Sequence, residues 1–246
     1  MNLHSHKPSR TVLITGASGS IGRALCLRFA KGGWKVGIHW HGRADEAQAT
    51  ARAVKDRGAD ASLHQTDIRD PHQVEQMFRA FVDSWGRLDV LICNAGTALG
   101  RLLVKTTGED WGRIISTNLT GTFHCMKAAA PYMLERRQGA IVVIGSYAGF
   151  HGSEGQAAYA ASKAGLLGLV RSAAREWGSD HLRVNLLLPG RHASRMTDEL
   201  TAGASLYQDH LLGCAPRLST VAAAAYRLAC SRETSGEVWN VDSRIL

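Results

Sequence analysis

Seven short runs rich in β-branched and aliphatic residues, TVLIT, KVGIHW, ASLHQ, LDVLIC, AIVVIG, LRVNLLL and GEVWNV, are separated along the chain by segments of helical length. Alternation of this kind joins parallel strands through helical crossovers, because a parallel pair cannot be closed by a tight turn. Several runs are apolar at nearly every position, as expected of strands covered by helices above and below. The pattern predicts an α/β fold built on one seven-stranded parallel sheet, doubly wound, with helices on both faces. No Pro/Gly/Ser-rich linker, low-complexity tract or repeat breaks the series. Residues 11–246 are therefore expected to form one domain behind a loose segment, residues 1–10, and 246 residues with 45% hydrophobic content supply ample material for its core.

The first run leads directly into TGASGSIGRALCLRFAKGG, a strand, a glycine turn and a helix opening. This is the context that a dinucleotide fingerprint of the Rossmann type requires. Gly16 permits the tight turn, and Gly22 lets the helix pack close to the strand, leaving first-turn amides to face a pyrophosphate. Further along, in SYAGFHGSEGQAAYAASKAG, Tyr159 and Lys163 stand four residues apart and so share one helix face. A free phenol has a pKa near 10, and a neighbouring ammonium favours the phenolate and is expected to lower it, making the pair a tuned acid and base. Ser146 closes the strand that precedes them.

The formal net charge is +8, which suits an anionic ligand, an acidic partner or nucleic acid. The cations are scattered, with no basic stripe interleaved with aromatics, so nucleic acid is disfavoured. Cys26, Cys93, Cys125, Cys214 and Cys230 are odd in number and widely spaced, which reads as reduced thiols and neither a disulfide framework nor a metal site. No run is long and apolar enough for a membrane span or a signal peptide. A soluble, cytoplasmic protein without a metal is expected.

Taken together, the motifs resemble the short-chain dehydrogenases/reductases over about Thr11 to Asp242. TGASGSIG matches the cofactor turn at Thr15, Gly16 and Gly22. CNAG matches at Asn94 to Gly96, STNLTGTF around Asn118, IGSYAG at Ser146, YAASK at Tyr159 and Lys163, and LPG at Pro189 and Gly190. The resemblance implies a carbonyl reductase in which Tyr159 protonates the carbonyl oxygen and Ser146 hydrogen-bonds it. Lys163 would also hold the nicotinamide ribose, and Asn118 would hold a water linking Lys163 to solvent. The cofactor contacts it implies are Gly16, Ser18, Ser20, Ile21, Asp67, Ile68, Asn94, Ala95, Gly96, Pro189, Gly190, His192 and Ser194, together with Tyr159 and Lys163. Asp67 would lie beside the adenine, although it also suits a cap for a helix beginning near Pro71.

Several positions depart from the family pattern. Ser20 stands where the family has its middle glycine, with Gly19 one place earlier. Arg191 and His192 follow Pro189 and Gly190 and suggest a polar lid. At the end of the second strand, NAD-preferring relatives carry an acidic residue, whereas this chain has Trp40, His41 and Arg43. A carboxylate would repel a 2′-phosphate and an arginine can pair with it, so NADPH is expected in preference to NADH.

Within the family, GQAAYAASKAGLLGL, with Gln156 three before Tyr159, resembles the 3-oxoacyl-[acyl-carrier-protein] reductases. This implies a small-molecule or carrier-linked thioester substrate, an acidic carrier steered by Arg136 and Arg137, and a homo-oligomer, tetramer or dimer. The ending VWNVDSRIL departs from the usual double glycine after the aspartate. Substrate preference is expected to rest on Phe150, His151, Arg191 and Tyr207. Two other readings stay open: a pteridine or quinone reductase, from IHWHGRADEA, and a nucleotide-binding interaction protein without turnover.

Overall fold

In the computed structural model, which describes residues 9–192 and 210–246, the seven apolar runs are strands of one sheet. They are β1 (Thr11–Ile14), β2 (Lys35–Trp40), β3 (Ala61–Gln65), β4 (Val90–Cys93), β5 (Gly139–Ile144), β6 (Leu182–Leu188) and β7 (Val238–Asn240). The order is β3-β2-β1-β4-β5-β6-β7, and every neighbouring pair is parallel. β1, β4 and β5 are buried at every position, which explains why their sequences show no polar alternation.

One face of the sheet packs against α1 (Ser20–Lys31), α2 (Ala44–Lys55) and the helix near the C-terminus, Leu218–Cys230, through Leu25, Phe29, Val54, Val221 and Leu228. The other packs against α3 (Pro71–Trp85), α5 (Gly121–Leu134) and α7 (Ala157–Trp177) through Phe78, Phe81, Met126, Leu166 and Val170. In chain order α4 (Gly108–Ile115) precedes α5 and the short α6 (Ala148–His151) precedes α7, and both pack against α7; Leu218–Cys230 is α8. Each fully buried Phe contributes roughly 1.5–3 kcal/mol of apolar transfer free energy. Gly37 on β2 makes room for this packing, because a Cβ there would meet the Phe81 ring at 2.5 Å.

Local chemistry sets several helix ends. Asp70 accepts from the amides of His72 and Gln73, Pro71 occupies the first helical position, and Gly86 ends α3 in the left-handed conformation at φ 73°. Thr107 and Asp110 form a reciprocal capping box on α4. Among the described residues no helix is long and apolar enough to cross a membrane.

Sheet order reverses between β1 and β4: the chain leaves β1 toward β2 on one side and leaves β4 toward β5 on the other. The loops beyond the carboxyl ends of these two strands diverge and open a crevice, where ligands of doubly wound sheets bind.

Candidate active site

The crevice is a cleft of about 600 Å³, lined on one side by Gly16, Gly19, Ser20, Ile21 and Gly22. The turn is held from two strands. The Thr15 hydroxyl accepts from the amides of Asn94 and Ala95 at 2.9 and 3.0 Å, and the Asn94 side-chain amide donates back to the Thr15 and Gly16 carbonyls at 3.0 and 3.1 Å. Asn94 thus lines the cleft while its amide builds the turn. Gly16, at φ 64°, has the Ala95 Cα 2.7 Å from where a Cβ would sit, and a Cβ on Gly22 would lie 2.4 Å from the Gly16 carbonyl oxygen. Gly19 carries no such constraint, its nearest neighbour being 3.5 Å away. This is how the turn accommodates Ser20 at the family's middle glycine position: the obligatory approaches are at Gly16 and Gly22.

A third support comes from His39, which sequence reasoning passed over. Its Nδ1 accepts from the Gly16 amide at 3.0 Å, its Nε2 lies 3.0 Å from the Thr66 carbonyl oxygen, and its own carbonyl accepts from Ala17 at 2.8 Å. The two ring contacts fix the tautomer, with the proton on Nε2. Burial is the main reason that the imidazole pKa falls to about 4, against a smaller opposing effect of the Thr66 carbonyl. An aromatic residue in an apolar strand offered no sign of this task; the clue would have been a polar ring one residue before the strand's carboxyl end.

α1 begins without a side-chain cap and without an acidic residue in its first turn, so its first amides lack a protein side-chain acceptor. That arrangement fits the pyrophosphate of a dinucleotide.

The opposite wall carries Ile144, Gly145, Ser146, Tyr159 and Lys163. Tyr159 and Lys163 project from the same face of α7, and the Lys163 ammonium lies 5.8 Å from the Tyr159 ring centre and donates to the Ile144 carbonyl at 2.7 Å. Burial raises the Tyr159 hydroxyl above the ordinary phenol range, with Ser146 acting in the opposite direction. The expected lowering by Lys163 is therefore absent from this arrangement, in which burial dominates and the ammonium is turned to a carbonyl. Burial also brings Lys163 down to about 8.

Asn118 is fully buried in a π-helical turn, Ser116–Thr120, that joins α4 to α5. Its side chain is consumed by structure: Nδ2 donates to the Thr97 carbonyl and the Ser162 hydroxyl at 2.8 and 3.0 Å, and Oδ1 accepts from the Thr97 amide at 2.7 Å. A Cβ on Gly96 would sit 3.2 Å from the Asn118 Oδ1 and 3.9 Å from the Lys163 Nζ, so Asn118 and Lys163 converge on the same loop. Irregular turns of this kind recur at functional sites.

On the adenosine side, Arg43 lines the cleft, and its guanidinium lies 3.9 Å from a Cβ built on Gly19. Glu46, one turn further along α2, lines it as well and was not anticipated. His41 is exposed, 3.9 Å from the Asp67 carboxylate. Asp67 does not cap α3, a task that belongs to Asp70. It takes a forked pair from Arg69, Nε to Oδ1 at 2.9 Å and Nη2 to Oδ2 at 2.5 Å, and this pairing holds its carboxyl down at about 2. Ser18 is half-buried in the turn, and Ile68 is buried against Gly121; neither lines the cleft.

At the far end, Pro189, Gly190 and His192 complete the lining, and the His192 ring lies 2.8 Å from the Pro189 carbonyl. Ser194 and Tyr207 lie outside the described residues. The atypical C-terminus packs here: Arg244 forms a forked pair with Asp242 at 2.6 and 2.9 Å and lies 4.2 Å over the Tyr147 ring, which stacks on His151 at 4.3 Å. Arg136 and Arg137 are not at the cleft. They precede β5 at its amino end, opposite Ser146, and pair with Asp89 at 3.3 Å and Asp180 at 2.8 Å, so they form no steering patch for a carrier. Among the described residues no group of three His, Cys, Asp or Glu side chains could hold a metal ion.

A family model described as short chain dehydrogenase matches residues 10–205. The 3-oxoacyl-[acyl-carrier-protein] reductase FabG of Staphylococcus aureus is 40% identical over 195 residues, 79% of each chain. A 3-oxoacyl-[acyl-carrier-protein] reductase of Synechocystis is 35% identical over 243 residues, 95% of this chain and 96% of the relative. The crystal structure of levodione reductase superposes with a TM-score of 0.90 at 26% identity, covering 95% of this chain and 96% of that one.

Proposed function

Because this chain belongs to the short-chain dehydrogenase/reductase family and is an oxidoreductase, we propose that it reduces the keto group of a 3-oxoacyl thioester, using NADPH. The observation that carries the reading is the convergence of Ser146, Tyr159 and Lys163 on one wall of a cleft whose other wall is an uncapped helix start. Gly16, Ser20, Ile21 and the first amides of α1 would hold the pyrophosphate, Asn94 to Gly96 would follow the adenosine ribose, and Lys163 the nicotinamide ribose. When bound, the reduced nicotinamide supplies the hydride.

The chain supplies the proton and the geometry. Tyr159 gives its hydroxyl proton to the carbonyl oxygen as negative charge develops there, and Ser146 donates a hydrogen bond to the same oxygen. A half-buried phenol with a raised pKa stays protonated at neutral pH, which suits a general acid. Lys163, charged below about pH 8, stabilises the phenolate that remains. Positioned proton transfer of this kind is commonly worth about 100- to 10,000-fold in rate.

Two features support the finer assignments. Arg43 reaches the turn where a 2′-phosphate would lie, and a guanidinium fork matches it. The thioester reading rests on the two relatives named 3-oxoacyl-[acyl-carrier-protein] reductase. Steady-state reduction of acetoacetyl thioesters, on an acyl carrier protein and on a small thiol mimic, tests both. NADPH is expected to outperform NADH, and Arg43→Ala to narrow the gap. Equal use of both cofactors by the wild type overturns the NADPH assignment. No turnover of either thioester, with diketones still reduced, overturns the substrate class alone.

A further inference from the structure

A second cavity, about 510 Å³, lies at the other end of the sheet, against the amino ends of β1, β4, β5 and β6. Its size falls in the range of small-molecule sites. The strands that separate it from the cofactor cleft have four to seven residues, about 13 to 23 Å at ~3.3 Å per residue, and the two cavities share no lining residue.

The cavity has a surplus of fixed cations. Arg10, Arg87, Arg183 and Arg232 line it against Asp89 and Glu233, an excess of two positive charges. Asp89 is already committed, since Arg87 pairs with it at 2.5 Å and Arg136 at 3.3 Å. Among the described residues Arg10, Arg183 and Arg232 form no ion pair with a carboxylate. Two of the three are also held in place. The Arg10 guanidinium lies 4.3 Å over the Trp34 ring, and Arg183 donates to the Leu228, Ala229 and Ser231 carbonyls that end α8. Burial of Arg183 opposes its charge, and Arg232 adds to the effect, so an anion placed between them would relieve both.

Planar guanidinium groups fixed in direction and short of counter-charge recognise phosphate oxygens through forked hydrogen bonds. We propose that this cavity is a binding site for a small phosphate-bearing polyanion, separate from the cofactor cleft and reached from the opposite end of the sheet. The site accounts for part of the chain's positive balance that the active site does not use.

Inorganic pyrophosphate is the probe, titrated calorimetrically into the full chain at constant ionic strength, with the cofactor cleft saturated by dinucleotide. Saturable binding is expected to persist under saturation, to weaken at least tenfold in an Arg10→Gln/Arg232→Gln variant, and to be unchanged in Arg43→Ala. Arg232→Glu, a change at an exposed position, is expected to weaken it likewise, while thioester turnover without pyrophosphate stays at the wild-type level in all of the cavity variants. Loss of binding on dinucleotide saturation or in Arg43→Ala assigns the pyrophosphate to the cofactor cleft and overturns the proposal. So does a non-saturable response, or one indifferent to Arg10 and Arg232. Failure of the thioester assay leaves this test intact, because its readout is binding.

Discussion

His39→Asn gives a test of how the cofactor turn is held. The imidazole pKa falls from 6.5 to about 4 in the folded chain, chiefly by burial. Between those values the unfolded chain binds a proton that the folded chain refuses, so stability rises with pH across the window and is complete above about pH 6.5. A shift of two to three units at about 1.4 kcal/mol each sets the loss on acidification to pH 4 at about 3 kcal/mol. Protonation would also turn Nδ1 from acceptor to donor and set it against the Gly16 amide, 3.0 Å away. An asparagine can still accept from Gly16 but has no proton to gain. The variant is expected to cost about 1 kcal/mol at pH 7.5, one hydrogen bond rearranged, and to lose less than the wild type as pH falls. Urea unfolding from pH 7.5 to 4.5, read as the midpoint at constant slope, measures the difference. His64, whose pKa is also lowered by burial, contributes to both proteins and cancels. An identical pH dependence in the two proteins would refute the role assigned to His39.

Tyr159→Phe is expected to lower turnover at least ~100-fold while dinucleotide affinity changes by less than about threefold, measured by steady-state kinetics and fluorescence titration; near-normal turnover removes Tyr159 from the chemistry. Gly22→Ala would drive a Cβ to 2.4 Å from the Gly16 carbonyl, a backbone atom that cannot yield, and is expected to cost roughly 1–3 kcal/mol. Gly19→Ala, with 3.5 Å to its nearest neighbour, is expected to stay within about 0.5 kcal/mol by thermal unfolding. Equal losses at the two glycines would show that the turn is constrained differently.

The fold was readable because buried parallel strands leave unbroken apolar runs, and each of the seven became a strand within two residues of its expected ends. The cofactor turn and the Tyr159 face were readable because glycine and helical spacing carry geometry in one dimension. His39 and Glu46 were not, since each depends on which side of a strand or helix end meets another segment, and the Arg69 clamp on Asp67 was not, since a two-residue spacing in a loop fixes no side-chain direction. Arg136 and Arg137 misled for a related reason. Nearness to Ser146 in sequence placed them near it in space, yet a six-residue strand separates the two ends. The cap on α3 fell to Asp70 and not Asp67 because a cap must directly precede the helix.

The bonds that join Thr15 to the loop after β4 span 79 positions of the chain. At about 5–20 residues per second, the glycine turn leaves the ribosome roughly 4–16 seconds before the residues that hold it. During that interval β1 can pair with β2, and β2 with β3, while the edge that will receive β4 stays open to any other strand. A nascent chain stopped before Cys93 would carry the whole fingerprint and no site, with an unprotected central edge that invites mispairing. Assembly of the cleft is thus the event that closes the middle of the sheet, and delay in it exposes the growing chain to aggregation.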